Sequence, residues 1–212
     1  MKRLLISATI LIGLMLMWQA PTLASRQDGT PSPPAGDRPA CAASSGDGAT
    51  PAAEAGTPAV RAGTELAGWQ TTPLTDARTG AAFTVADFLG CTVYVETMAT
   101  WCGECRHQLE NVADAVPELD RDEFVVVAIS VETDLDREDL AAYADEAGFD
   151  WLFSVATPDV LKAIVDDLGR GAIVPPSTPH VIVRPDGTYG DLLTGYTEPD
   201  EIVRLMTEAS GA

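Results

Sequence analysis

At 212 residues, 46% of them hydrophobic, the chain is long enough for one globular domain plus extensions. Thirteen lysines and arginines against 32 aspartates and glutamates leave a formal charge of -19. Such acidity excludes a phosphate-binding face for nucleic acid and opposes docking on anionic lipid head groups; it reads either as a solvated coat or as a face that attracts basic partners.

Met1, Lys2 and Arg3 precede an apolar run, residues 4–18, interrupted only by Ser7 and Thr9. A positive start and a run of this length predict that residues 1–25 are a secretory signal, with Thr22, Leu23 and Ala24 offering small residues for cleavage. Extended to residues 4–20, the same run is a membrane anchor at the lower edge of the ~17–25 residues a span needs. Either reading exports the rest of the chain. Residues 26–63 are rich in Pro, Ala, Gly, Ser and Thr without periodicity, as in a flexible linker that cannot bury enough apolar surface to order itself. Cys41 falls in this linker, too far from the apolar run for lipid attachment, and reads as a free thiol or an intermolecular bridge.

The composition changes at Thr64, and residues 64–212 are expected to fold. Trp69, Leu74 and Phe83 stand among turn formers. Cys91 opens a strand and reads as a small, partly buried hydrophobe. Val93, Tyr94 and Val95 make that strand β-rich, Glu96 lies within it, and residues 97–101 lead to Cys102-Gly103-Glu104-Cys105. Leu109, Val112, Ala113 and Val116 then repeat at helical spacing until Pro117. A CxxC pair therefore sits where a strand hands over to a helix.

That placement has a chemical reason. The thiolate is the nucleophile of disulfide exchange, and the first turn of a helix offers unpaired N–H groups and partial positive charge that lower a thiol pKa. Cys102, expected to be exposed, is the nucleophile; Cys105, one turn further in, is the resolving thiol. Glu104 sets a negative charge against the helix dipole, and Arg106 and His107 follow closely enough to offset it or simply to face water. Half of a zinc site is the other reading of a CxxC pair. Cys41, Cys91, His107 and His180 supply no compact second pair of ligands, so no metal is expected.

Residues 124–131 form an apolar run suited to a strand buried on both faces. Residues 135–147 read as a helix closed by Gly148, 151–155 as a short strand, and 160–168 as a helix with Pro158 at its first turn and Gly169 at its end. Residues 180–184 read as a strand, 185–188 as a turn, 189–193 as its hairpin partner and 198–209 as the closing helix.

Trp101-Cys102-Gly103-Glu104-Cys105 behind an apolar strand, with Ala99-Thr100 ahead of the Trp, resembles the active site of the thioredoxin superfamily. Within it the pattern is similar to the extracytoplasmic TlpA/ResA-like thiol:disulfide oxidoreductases. The resemblance spans residue 64 to the C-terminus and implies an α/β thioredoxin fold, a central mixed β-sheet flanked by helices with an N-terminal β-hairpin extension. It implies that Pro179 is a cis-proline packed beside the CxxC pair, with Pro175 and Pro176 as rival positions. It also implies that the Thr178 backbone pairs with the bound client and that Trp101 joins the client-binding surface. Glu96, six residues before Cys102, corresponds to a buried carboxyl of raised pKa that exchanges a proton with Cys105; its plainer reading is a strand-end Glu facing solvent.

The implied function is exchange with disulfides of exported proteins, as a reductant, for example in cytochrome c maturation. A membrane thiol donor would return the electrons, and no cofactor is required. Two other activities match part of the pattern. A thioredoxin-fold peroxidase would find Thr97 and Thr100 present but not the accompanying proline. A copper-handling module would call for wider CxxxC spacing and a distal His, for which only His180 stands nearby.

Overall fold

The computed structural model describes residues 65–211. The segments expected to be a signal or anchor and a linker, with Cys41, lie outside the described residues. Among those described, no helix is long and apolar enough to cross a membrane.

The described chain begins with a one-turn helix, α1 (Gly68–Thr71), and the expected hairpin, β1 (Leu74–Thr75) antiparallel to β2 (Ala82–Phe83). The hairpin is short because Asp76 folds the chain immediately after β1: its carboxylate accepts the N–H groups of Arg78 and Thr79 at 3.3 and 3.2 Å. The main sheet has the order β5-β4-β3-β6. At its centre β3 (Thr92–Met98) runs parallel to β4 (Phe124–Ser130) and antiparallel to β6 (His180–Val183); β5 (Leu152–Val155) extends it, parallel to β4.

Every residue of β3 is buried, because helices cover both faces of the sheet. Tyr94, Met98, Val126, Ala128 and Ile182 point toward α2 (Gly103–Ala115), α3 (Arg137–Ala147) and α5 (Pro199–Ser210), meeting Leu109, Val112, Leu140 and Ile202. The alternate residues Val93, Val95, Val127, Ile129 and Val181 face α4 (Pro158–Leu168), where Val160 and Ile164 complete a second core. Each such fully buried side chain contributes about 1.5–3 kcal/mol. The helix limits follow local chemistry. The Thr157 hydroxyl caps α4 by accepting the Val160 N–H at 3.2 Å, Pro158 occupies its first turn, and left-handed Gly148 ends α3.

Two sequence expectations are modified. Helix α3 starts at Arg137 rather than 135, because residues 132–135 close a turn from Leu135 N–H to Glu132 O at 3.0 Å. The predicted hairpin partner of β6 pairs only at two bridges, His180 with Leu193 and Val183 with Tyr189. Three steps along β6 face four along the returning segment, so a one-residue bulge breaks the ladder. Between α4 and β6, the extra helical region consists of two 3-10 turns, Arg170–Ile173 and Pro175–Ser177.

Candidate active site

Cys102 is the N-cap of α2, with φ −87° and ψ 106°, and its sulfur accepts the N–H of Cys105 at 3.1 Å. An N-cap acceptor meets the unpaired amides of a first turn, and the positive end of a 13-residue helix favours negative charge at that spot. Cys105 closes a disulfide with Cys102 across a Cα–Cα separation of 5.3 Å. The expected exposure of Cys102 is not met: it is 3% exposed, against 0% for Cys105. In the bridged form its sulfur turns inward to Cys105. The Pro175 carbonyl oxygen lies 3.1 Å from Cys105 Sγ, placed to accept from that thiol once the pair is reduced.

The Thr178–Pro179 bond is trans, and no described peptide bond is cis, contrary to the expectation for Pro179. The chain turns by another route. After the 3-10 turn Pro175–Ser177, Thr178 adopts φ 45° and ψ 56°, the only left-handed non-glycine among the described residues. A β-branched residue in that region costs on the order of 1–3 kcal/mol and persists only where its surroundings hold it. Here the Thr178 N–H donates to Pro175 O at 2.8 Å, and its hydroxyl donates to Gly195 O at 2.7 Å. Its carbonyl accepts from His180 Nδ1 at 2.8 Å. The buried Pro179 presents its own carbonyl to the Thr97 N–H at 3.1 Å, docking the turn on the end of β3.

Glu96 is completely buried, so the solvent-facing reading fails. Strand alternation places it with Tyr94 and Met98 on the α2/α5 side. The Tyr94 hydroxyl donates to Glu96 Oε2 at 3.2 Å, while Oε1 has no hydrogen-bond partner. Burial pushes the Glu96 carboxyl well above the usual carboxylate range, with the Tyr94 bond opposing; burial and the adjacent Glu96 likewise raise the Tyr94 phenol.

A polar line continues from Tyr94. Gln108 Nε2 donates to the Tyr94 oxygen at 3.1 Å, and Gln108 Oε1 accepts the Thr197 N–H at 2.8 Å. Asn111 Nδ2 donates to Thr197 O at 3.1 Å. The Thr197 hydroxyl lies 3.0 Å from His180 Nε2. His180 stands opposite Glu96 in the β3–β6 register and stacks on Tyr94 with ring centres 5.2 Å apart. Burial holds His180 below its ordinary pKa and therefore neutral near pH 7, and both ring nitrogens are engaged. Glu96 and Thr178 were singled out in the sequence; Tyr94, Gln108 and Thr197, which connect them, were not.

The exposed large apolar side chains among the described residues are Trp101, Val174 and Tyr196. All border the disulfide: Trp101 precedes Cys102, Val174 precedes the Pro175 turn, and the Tyr196 hydroxyl bonds Glu104 while its ring meets His107 at 4.4 Å. Glu132, also unanticipated, accepts the Thr100 N–H at 2.6 Å and its hydroxyl at 2.9 Å, which fastens the approach to Trp101. Its place just past the end of a parallel strand beside β3 is the available signal, since such sheets gather their functional groups at the carboxyl ends of strands. Arg106 does not offset Glu104. Its guanidinium lies 5.5 and 5.4 Å from the ring centres of Tyr143 and Phe149 and pairs with Glu110 at 3.1 Å.

Residues 69–166 match the model of the AhpC/TSA family. Among solved structures, the chain is similar to a thiol:disulfide interchange protein of the thioredoxin family from Chlorobium tepidum TLS. That pair shares 20% identity and a TM-score of 0.57, covering 70% of this chain and 99% of the other. A secreted Mycobacterium tuberculosis disulfide oxidoreductase homologous to E. coli DsbE shares 15% identity and a TM-score of 0.51, over 66% and 97% of the two chains. MTB dsbF, solved in mixed oxidised and reduced forms, gives 17% identity and 0.52, over 69% and 100%. At these identities the likeness is one of fold.

Proposed function

We propose, from the premise that the chain is a thioredoxin-fold thiol:disulfide oxidoreductase by its architecture and its closed CxxC couple, that it works outside the cytoplasm as a reductant of disulfides in exported proteins. The observation that carries this reading is the Cys102–Cys105 disulfide at the N-cap of α2, ringed by Trp101, Val174 and Tyr196. Export is supported by the apolar leader of residues 4–18. The reducing direction is supported by electrostatics. Glu104 stands within the first turn while Arg106 is drawn to Tyr143, Phe149 and Glu110. A thiolate deprived of a nearby cation is less stabilised, which favours the disulfide form of the enzyme and lowers its potential.

In the cycle, the Cys102 thiolate attacks one sulfur of a client disulfide. That S–S bond breaks, a mixed disulfide forms, and the first client sulfur leaves as a thiolate that takes a proton from water. Cys105 then loses its proton and attacks Cys102 Sγ, releasing the second client thiolate. Two electrons pass to the client, and the enzyme ends as the Cys102–Cys105 disulfide. Glu96 is the proton partner of Cys105, and the Thr178 backbone pairs with the client strand. A membrane thiol donor resets the pair, and apocytochrome c is one fitting client.

The test is a non-reducing gel of exported proteins from cells carrying single cysteine variants. Cys105→Ser should accumulate covalent adducts through Cys102, and Cys102→Ser none; adducts in the Cys102→Ser protein would reverse the two roles. The potential of the purified couple should lie well below that of glutathione, and a value near the strong periplasmic oxidants would overturn the direction. Rapid consumption of hydrogen peroxide, lost in Cys102→Ser, would establish the peroxidase reading instead.

A further inference from the structure

We propose that His180 is a positioning residue for client exchange: its Nδ1–H holds the Thr178 carbonyl in the left-handed turn, and its Nε2 fastens that turn through Thr197 to the helix that carries the cysteines. The inference rests on the reading above that a client strand pairs with the Thr178 backbone.

The geometry fixes the imidazole. A carbonyl oxygen can only accept, so the Nδ1 that lies 2.8 Å from Thr178 O carries the proton. Nε2 is then bare and accepts from the Thr197 hydroxyl at 3.0 Å. The ring is 1% exposed and stacked on Tyr94, which leaves it little freedom to flip. On its far side Thr197 is clamped by Gln108 and Asn111, which lie three and six residues beyond Cys105 on α2. The Thr178 carbonyl and the helix that presents the nucleophile are therefore joined through His180 and Thr197. Glu96 belongs to the same assembly, since it opposes His180 across β3 and β6 and binds the Tyr94 hydroxyl.

This has a mechanical reason. Thr178 sits in a conformation that a β-branched residue leaves unless it is held, and three bonds hold it. Two of them, to Pro175 and Gly195, stay within the loops around the turn. The bond from His180 is the one of the three whose donor also reaches α2, through Thr197; the other ties of this turn, Pro179 O to the Thr97 N–H on β3 and Pro175 O to Cys105 Sγ on α2, do not hold the Thr178 carbonyl. Without it the carbonyl can rotate, and a paired strand loses its register with Cys102.

The experiment compares His180→Asn, whose amide nitrogen reproduces Nδ1, with His180→Gln and His180→Phe, which do not. For each full-length protein the rate with a cystine-bridged peptide is divided by the rate with the small disulfide DTNB, which has no strand to pair. This ratio should fall about ten-fold for Gln and Phe, the equivalent of one lost hydrogen bond, and recover in Asn. Equal loss with both substrates, no loss, or an Asn variant as impaired as Phe would each overturn the proposal. Failure of the unmodified protein to exchange with the peptide at all would instead remove the client reading on which it rests. A second readout is independent of variant folding: nitrogen-15 spectra should show the His180 ring neutral near pH 7, protonated at Nδ1 and bare at Nε2. An Nε2–H tautomer at His180 would overturn the assignment.

Discussion

The face of the sheet that packs on α4 and the face that packs on α2 and α5 are built from the same strands, in alternate residues. On the α4 side β3, β4 and β6 contribute valines, one isoleucine and Thr97, whose hydroxyl donates to Ala172 O, and Val160 and Ile164 close over them. On the other side the same strands present Tyr94, Glu96 and His180, tied by hydrogen bonds to Gln108 and Thr197. Apolar burial is non-directional and tolerant, whereas a buried polar line is satisfied in one arrangement only. The first face supplies stability. The second relinquishes some of it to hold a carboxyl, an imidazole and a strained turn in fixed relation to the cysteines.

Truncation on the apolar face should show the largest effect on stability. Ile164→Ala is expected to cost about 2–5 kcal/mol in denaturant unfolding, with the exchange rate per folded molecule unchanged. A lowered rate in the folded fraction would mean that the division between the faces is not real.

Glu96 should show the opposite pattern. Its native pKa is raised, so between the unfolded carboxyl pKa, about 4.3, and the native value the folded state binds one proton more than the unfolded. Stability contributed in acid is therefore lost as pH rises, by about 1.4 kcal/mol per pH unit while the native carboxyl stays protonated. Glu96→Gln should flatten that decline, leave the protein more stable than the wild type at pH 7, and slow resolution by Cys105. A Gln variant that follows the wild-type pH curve would contradict this account.

His180 should contribute the reverse slope. Its native pKa is lowered, so below about 6.5 the unfolded chain gains a proton that the native state refuses. Stability falls with acidification there, and His180→Asn should remove that component from pH-dependent unfolding curves. An unchanged acid limb would assign the effect to other groups.

The smallest expected effect concerns Thr178. Glycine accepts its φ of 45° without strain, so Thr178→Gly should gain up to about 1 kcal/mol from relief and lose a comparable amount with the hydroxyl bond to Gly195. Net stability should hardly move, while exchange with peptide falls more than exchange with a small disulfide. A gain in peptide exchange would show that the strain serves no positioning purpose.

The chain by itself determined the parts that depend on near neighbours. Valine-rich runs predicted β3 and β4, Thr157-Pro158 and Gly169 marked the ends of α4, and Cys102 to Cys105 stood at a strand-to-helix junction, because period, capping and turn chemistry act over a few residues. Pro179 leading into a strand marked the turn that enters β6. Its peptide bond, expected to be cis, is trans. Alternation alone could not place Glu96 inside or out, since one more residue in register would have turned it to the other face. Packing under α2 settled it. The line from Glu96 through Tyr94, Gln108 and Thr197 to His180 joins residues from position 94 to position 197 of the chain. Only tertiary structure could form it, because no local pattern records which distant polar atoms a buried group will meet.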